Sequence, residues 1–406
     1  MANTTLTHKM IAREAAAIFE EEAPFIMNVN RGRQEEFAAN INGFNKGDYV
    51  DIKIPSVGAV FDGATFAGGG SATDNVEQSV RLTLDTQKHV ALQFGAKEKL
   101  LEITEFKDRI LRPQMRMLAS VVEADMLTKA KNFTFNLVGT AGSTPTTMKT
   151  YAQARAKLQQ FLAPPSDRSM LYSSNANTEL VDASKALFHA GSQVERGFLR
   201  GSLGEAQGAD FYEHQSMPLH TNGTQALAGA VLTNGVPAAG ATTMAIDGGT
   251  GTNTITKGTV FTIAGVNAVH PLTGVDTGSL QQFVVTADLT LAAGAGTLSF
   301  SPPMKATTPN KTVTAAAADN VALTGVGSAS TSYRQNLMFQ KDAYTVATAP
   351  LPVLASCEGY TARLPSGINV RVMTFGDGNN DYERTRIDIL YGIQKVRDFW
   401  AARVTE

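Results

Sequence analysis

Side chains able to do metal, nucleophilic or acid-base chemistry are few in this 406-residue chain, and their spacing is loose. One string has ligand-like spacing: Asp377-Gly-Asn-Asn-Asp381 puts oxygens at positions 1, 3 and 5 of a calcium-loop pattern, with Asp388 at position 12. Position 6 is Tyr382 where the sharp turn wants glycine, position 12 is not glutamate, and both flanks read as strand, so a hairpin turn is expected there instead. The histidines His8, His89, His189, His214, His220 and His270 are scattered. Only His214 and His220 lie close together, without the cysteine or acidic neighbours that a zinc site needs. Cys357 is the single cysteine and reads as an idle thiol, with no partner for a disulfide. The sequence has no phosphate-cradling P-loop, no dinucleotide glycine fingerprint opening a helix, no G-x-S-x-G elbow and no H-E-x-x-H. No catalytic residue, no cofactor site and no metal site is expected, and the chain is read as a non-enzyme.

What remains is chemistry of recognition, carried by elements that can be read from periodicity. From His8 to Glu22 the apolar positions Ile11, Ala15, Ile18 and Phe19 fall on one helical face, with Thr5 or Thr7 available as N-cap. Glu20-Glu21-Glu22 then occupies the last turn, where the helix dipole disfavours acid, so this end is either solvated or meets a basic partner. Strands alternating with period two are expected at Asp48–Ile54, Val80–Asp85 and His89–Phe94, around a flexible tip from Phe61 to Ser71. Arms of about fifteen to twenty residues would reach about 50–65 Å, and a ribbon that long must lie on something; a neighbouring subunit is expected.

The strongest helix pattern runs from Glu105 to Phe133, with Pro113 predicting a kink or a later start. Ile110, Met117, Val121 and Ala124 form one stripe and Leu111, Met115, Leu118, Val122, Met126 and Ala130 the adjoining one, which predicts burial over more than half the circumference. An α/β stretch follows, with helices at Lys149–Leu162 and Asn175–Ala190 and short strands at Ser169–Tyr172 and Ala209–Tyr212. Of 35 basic and 37 acidic residues, only Asp247, Lys257, Asp276, Asp288, Lys305, Lys311 and Asp319 fall in 221–332. Half of that span is Gly, Ala and Thr. Its runs Thr259–Ala264, Gln282–Thr286, Thr297–Phe300 and Lys311–Thr314 read as short antiparallel strands, and the whole as an inserted domain. Charge returns at Arg334 in a strand-rich tail: Asn336–Val346, Gly367–Phe375 and Arg384–Tyr391.

Lys257-Gly-Thr-Val-Phe-Thr-Ile-Ala-Gly-Val266, Leu280-Gln-Gln-Phe-Val-Val-Thr286 and Ser301-Pro-Pro303 resemble the insertion domain of the P22-like phage major coat proteins. Gln335–Ala343, Gly367–Val372 and Arg386–Gly392 resemble the same family after that domain. The resemblance implies an α+β chain with the HK97-type capsid fold and an inserted antiparallel β-barrel. On this chain it implies an N-terminal arm (1–46), an E-loop (47–94), a peripheral domain with a spine helix (95–145 and 367–406), an axial domain (146–220 and 333–366) and the insertion domain (221–332). The implied function is the major capsid protein of a tailed double-stranded DNA phage. It would self-assemble into hexamers and pentamers of an icosahedral shell and mature by expansion.

Implied partners are further copies of the chain, a separate scaffolding protein, a portal protein at one vertex, and enclosed double-stranded DNA bound without sequence specificity. Implied locations are the virion and, during assembly, the host bacterial cytoplasm. The family's acidic scaffold-contact surface maps to Glu14, Glu20, Glu21 and Glu22. Candidate contacts between capsomers are Asp247, Lys257, Asp276 and Asp288, and the E-loop tip over a neighbour would use Phe61, Phe66, Gly68, Gly69 and Gly70. Because 61–75 holds no lysine, a shell without covalent crosslinks is expected. With 46 residues before the E-loop, no fused scaffolding domain is expected there.

The formal charge of -2 fits a wall of many copies without strong self-repulsion, and the absence of a Lys/Arg block argues against a dedicated nucleic-acid reader. The start, which lacks an apolar run behind a basic end, predicts neither export signal nor membrane span. Two other readings are weighed: an encapsulating nanocompartment of the same fold, against which the insertion argues, and a β-rich adhesin or glycan-active protein, which lacks paired carboxylates.

Overall fold

The computed structural model describes residues 8–32, 49–55, 78–95, 110–184, 204–307, 310–377 and 382–406. Its helices are α1 (His8–Glu21), α2 (Pro24–Asn28), α3 (Arg112–Phe133), α4 (Met148–Gln160) and α5 (Ser174–Ser184). The strands before the barrel are β1 (Tyr49–Ile54), β2 (Gln78–Thr83), β3 (Thr86–Gly95), β4 (Leu137–Val138), β5 (Arg168–Tyr172), β6 (Glu205–Ala206), β7 (Ala209–Glu213) and β8 (Leu219–Thr221). The charge-poor span holds β9 (Ala228–Thr233), β10 (Ala241–Asp247), β11 (Thr254–Ile255), β12 (Val260–Val269), β13 (Asp276–Val285), β14 (Leu289–Thr290), β15 (Gly296–Met304) and β16 (Ala322–Gly325). Beyond it come β17 (Ser332–Gln340), β18 (Tyr344–Ala349), β19 (Glu358–Arg363), β20 (Asn369–Asp377), β21 (Tyr382–Lys395) and β22 (Ala401–Thr405). Among the described residues no helix is long and apolar enough to cross a membrane.

The chain forms two compact units, the first from Met1–Ile52, Val80–Met126 and Tyr344–Val396, the second from Lys53–Ser79, Leu127–Ala343 and Arg397–Glu406. In the first, β21 lies between β3 on one edge and β20 and β18 on the other, with β19 outside β20. α1 packs on β19 and β20 with Ala12, Ala15, Ala16, Ile18 and Phe19 buried; of the expected face Ala15, Ile18 and Phe19 are buried and Ile11 only half-buried, and small alanines let the helix approach the sheet closely. α2 starts with Pro24 in its first turn, where a missing N–H costs nothing. Its Phe25 N–H donates to Glu123 Oε1 of α3 at 2.8 Å, and Tyr391 Oη of β21 donates to Asp125 Oδ2 at 2.8 Å, so two carboxylates of α3 tie it to its unit. β1 and β2 pair as a ribbon whose Ile52 and Leu82 pack on Ala347.

α3 begins at Arg112, so Pro113 sits in its first turn, the later start rather than a kink; residues 105–109 lie outside the described residues. The double-stripe expectation fails for one stripe. Leu111, Met115, Leu118, Val122, Met126 and Ala130 are buried, but Met117 is 54% and Val121 48% exposed. A straight helix against one core turns one face inward, and a second apolar stripe must look elsewhere.

In the second unit a sheet runs β4-β22-β17-β5-β7-β6, with β8 joined to the start of β17. β22 is buried along its whole length, and Tyr151, Tyr172, Phe211, Met338 and Val404 fill the core under α4 and α5. β9, β10, β15, β13, β12 and β16 close into a six-stranded barrel. Phe261 and Phe283 stack inside it, and Phe300 meets both edge-on, at centroid distances of 5.3 to 6.3 Å. All barrel strands lie between Thr221 and Ser332, which face each other in the β8–β17 ladder. The expected strand at Lys311–Thr314 is absent as an element. Val313 makes one bridge to Ala268, while Thr312 Oγ1 donates to Pro303 O at 2.6 Å, so the segment is tied down without forming a ladder. The strand-rich stretch Asn336–Val346 is divided between β17 and β18 by a 3-10 turn at Lys341–Ala343, where Asp342 N donates to Gln340 Oε1 at 2.7 Å.

Candidate functional site

The calcium-like string is the connection of a hairpin: β20 and β21 pair up to Asp377 opposite Tyr382, and residues 378–381 lie outside the described residues. Asp388 is fully buried and its oxygens are taken by arginines. Arg371 donates to Oδ2 from Nη2 at 2.9 Å and from Nε at 3.2 Å, while Arg386 Nε reaches Oδ1 at 2.6 Å. Gln87 Nε2 adds a bond to Oδ1 at 3.1 Å, and Arg371 Nη1 reaches Pro352 O at 2.6 Å. One carboxylate thus joins β3, β20, β21 and the segment after β18. Among the described residues, no three His, Cys, Asp or Glu side chains are grouped to hold a metal. His214 and His220 serve separate partners: His214 Nδ1 accepts from Ser216 N at 3.0 Å, and His220 contacts Lys131 and Thr259.

The acidic run at the end of α1 meets basic groups of its own chain. Glu22 Oε1 lies 2.6 Å from Arg116 Nε, and Glu21 Oε2 lies 3.8 Å from Arg112 Nη2, both arginines standing in the first turns of α3. Burial lowers the Arg31 guanidinium, and Glu20 opposes that shift. Glu14 is half-buried on the same helix. These pairs are solvent-exposed and individually weak, about 0–1 kcal/mol each, so another basic partner could exchange with them. Sequence reading found the acids but not the arginines, which lie far along the chain.

Two of the four candidate charges on the barrel hold loops. Asp288 Oδ1 accepts from Lys257 N at 2.6 Å. Asp276 accepts from Asn267 Nδ2 at 2.9 Å and from Gly278 N at 2.8 Å, and these bonds hold its carboxyl below the usual range. The side chains of Asp247 and Lys257 carry no ion pair among the described residues. Phe61, Phe66, Gly68, Gly69 and Gly70 lie outside the described residues.

The barrel is seated on the sheet of its own unit by groups that sequence reading missed. Gln282 on β13 accepts from Leu137 N at 2.9 Å and donates to Leu137 O at 2.8 Å, so one side-chain amide imitates a strand neighbour for the edge strand β4. Phe135, Leu137 and Phe161 pack beside Val260 and Val284 of the barrel, with Phe399 and Trp400 at the margin. Trp400 Nε1 donates to Phe161 O at 3.0 Å. A cavity of about 300 Å³ near the start of α4 is lined by hydroxyls of Thr140, Ser143, Thr144, Thr146, Thr147 and Thr150. What this chain offers is surfaces and joints.

Residues 38–398 match the family described as P22 coat protein, gene protein 5. The chain belongs to the P22 coat protein family. It is a major capsid protein of tailed phages, a component of the virion's oligomeric shell and not an enzyme. Among solved structures this coat protein is similar to one of Mycobacterium phage Che8, with a TM-score of 0.48 and 13% identity over 93% of this chain and 89% of that one. It is similar also to the bacteriophage PhiM1 mature capsid (TM-score 0.44, 10% identity, 88% and 82% covered) and to the capsid of cyanophage P-SCSP1u (0.43, 11%, 89% and 84%). No curated protein matches it.

Proposed function

We propose that this coat protein has the HK97-type architecture, with arm 1–46, E-loop 47–94, peripheral domain 95–145 and 367–406, axial domain 146–220 and 333–366, and insertion domain 221–332. It builds hexamers and pentamers of an icosahedral shell around a separate scaffolding protein in the host cytoplasm, with a portal at one vertex. The shell then expands around double-stranded DNA and stays free of covalent crosslinks. The observation that carries this reading is the closed barrel whose strands all lie between the paired residues Thr221 and Ser332. A chain that leaves a sheet and returns to the neighbouring ladder position can host a domain without disturbing its parent.

The scaffold contact is assigned to the acidic face of α1, Glu14 and Glu20–Glu22, where exposed pairs with Arg112 and Arg116 leave carboxylates open to exchange. Contacts between capsomers are assigned to the barrel charges, Asp247 and Lys257 ahead of Asp276 and Asp288, and the E-loop tip Phe61, Phe66 and Gly68–Gly70 to the adjacent subunit. The test is expression with and without a candidate scaffolding protein, followed by electron microscopy and a denaturing gel. Uniform shells with scaffold and a single monomer band are expected. Soluble monomer in both cases would refute the assembly reading, and a ladder of covalent multimers would refute the uncrosslinked shell.

A further inference from the structure

The root of the barrel holds a buried polar relay that neither the fold nor the shell function assigns. His220 is the middle residue of β8, the last strand before the barrel, and its ring is buried. Nδ1 lies 3.3 Å from Lys131 Nζ in the last turns of α3, and Nε2 lies 3.2 Å from Thr259 Oγ1 at the entry to β12. Lys131 Nζ also reaches Leu219 O at 3.3 Å, and Thr259 Oγ1 donates to Thr256 O at 2.8 Å. One imidazole thus spans from α3 to the first long strand of the barrel.

Donor and acceptor rules fix how the relay is protonated. Below about pH 7, where Lys131 is charged and only donates, Nδ1 accepts, the ring proton sits on Nε2 and goes to Thr259 Oγ1, and the hydroxyl proton goes on to Thr256 O. A second ring proton would turn Nδ1 into a donor facing a donor. The neighbourhood opposes that proton as well. The charges bearing on the ring are Arg403, fully buried on β22, and Lys131, both positive; Asn222 is the group that favours ring protonation. Tyr333 of β17 is the ladder partner of His220, and its Oη accepts from Ser328 N at 2.6 Å. Arg403 Nη1 donates to Gly258 O at 2.9 Å, and Gly258, at φ +93, packs so closely here that an added Cβ would lie 2.4 Å from Asn132 Oδ1.

We propose that His220 is an acid-released pin: while neutral it fastens the barrel's root to the end of α3, and when doubly protonated it lets that root open. Burial, then Arg403 and Lys131, push its pKa from 6.5 down to about 3. The contribution of His220 to the closed root is therefore complete above about pH 6.5 and weakens as pH falls toward 3, because only the open form takes the proton in that window.

The test is hydrogen exchange of the full-length, unassembled subunit, corrected for intrinsic rates. Between about pH 7 and about pH 4, protection of the amides of 219–222 and 256–260 should fall about a hundredfold in the wild type, while β5 and the second half of β17 keep theirs. H220Q, which takes no proton, should hold its protection at about pH 4; an equal fall in H220Q, or no regional fall in the wild type, overturns the proposal. If H220Q does not fold, nitrogen chemical shifts of the wild-type ring decide. An Nε2–H tautomer at about pH 6, with the second proton added only well below that pH, is expected, and an ordinary titration near 6.5 overturns it.

Discussion

Replacing Asp388 by asparagine tests whether one buried carboxylate holds the first unit together. In the native chain Arg371 is 8% exposed and Asp388 0%, and both oxygens of the acid are used by two arginines and Gln87. Asparagine keeps the shape but removes the charge, turns one acceptor into a donor and leaves the Arg371 guanidinium buried without a counter-ion. Stranding one member of a buried ion pair costs about 3–5 kcal/mol. R386Q removes the partner that is 34% exposed and should cost no more than about 1 kcal/mol. The double variant R371M/D388L, which withdraws both buried charges, should be less destabilised than D388N, since the desolvation of two ions disappears with their attraction. The assay is urea unfolding followed by circular dichroism, with hydrogen exchange on β20 and β21 to place the loss in this unit, because a chain of two units need not unfold in one step. A D388N penalty below about 1 kcal/mol, or one equal to that of R386Q, would refute the reasoning.

Q282A should leave the amide and carbonyl of Leu137 without their partners, for about 2 kcal/mol and a faster-exchanging Leu137 amide; Q282E should do no better, because its second oxygen faces the Leu137 carbonyl. Lys131 is pushed by burial, and then by Arg403, from 10.5 to about 7, so between those values the unfolded chain binds the extra proton and stability should rise with pH, by up to about 1.4 kcal/mol per pH unit. Urea midpoints at about pH 7.5 and about pH 9.5 should show that rise in the wild type and lose it in K131M, apart from the share of Lys157, which burial also lowers. E21Q/E22Q should change thermal stability by about 1 kcal/mol or less yet abolish scaffold-directed shells seen by electron microscopy; normal particles would sink the scaffold assignment. Neutralisation is the cleaner variant, since lysines there would also repel Arg112 and Arg116 of the same chain.

Where a signal is local, it was legible in the sequence. The helical period of 8–22 announced α1 and its buried face, and Asp-Gly-Asn-Asn between two alternating runs announced the β20–β21 hairpin. Strands β9, β10 and β16 were not read, because Ala, Gly and Thr dilute their alternation to single residues such as Val231, Met244, Ile246 and Leu323. Their register is set by barrel closure, a tertiary constraint with no local trace. The same limit explains α3, where apolar residues on two faces say nothing about which one the core takes. Among the candidate sites, Glu20–Glu22 stood out as a run, but their arginines, the amide of Gln282 and the Lys131–His220–Thr259 relay join positions remote in sequence, and no spacing rule reaches that far.

The scarcity of charge in 221–332 has a structural consequence for how the barrel could bind anything. Three of its four aspartates accept backbone N–H groups: Asp276 from Gly278, Asp288 from Lys257 and Asp319 from Gly235 at 2.6 Å. Such carboxylates are anchored by charge-assisted bonds, and an ion pair drawn from them would have to use their remaining lone pairs without pulling them out of the turn. Among the described residues Asp247 on β10 and the side chain of Lys257 have no such duty, so a bridge between neighbouring barrels would form on them at lower cost. Half of the span 221–332 is threonine, alanine and glycine, short side chains that lose little rotamer entropy when covered. A barrel composed this way can be pressed against a neighbour without stranding ions, and one or two charges suffice to set the register of the contact.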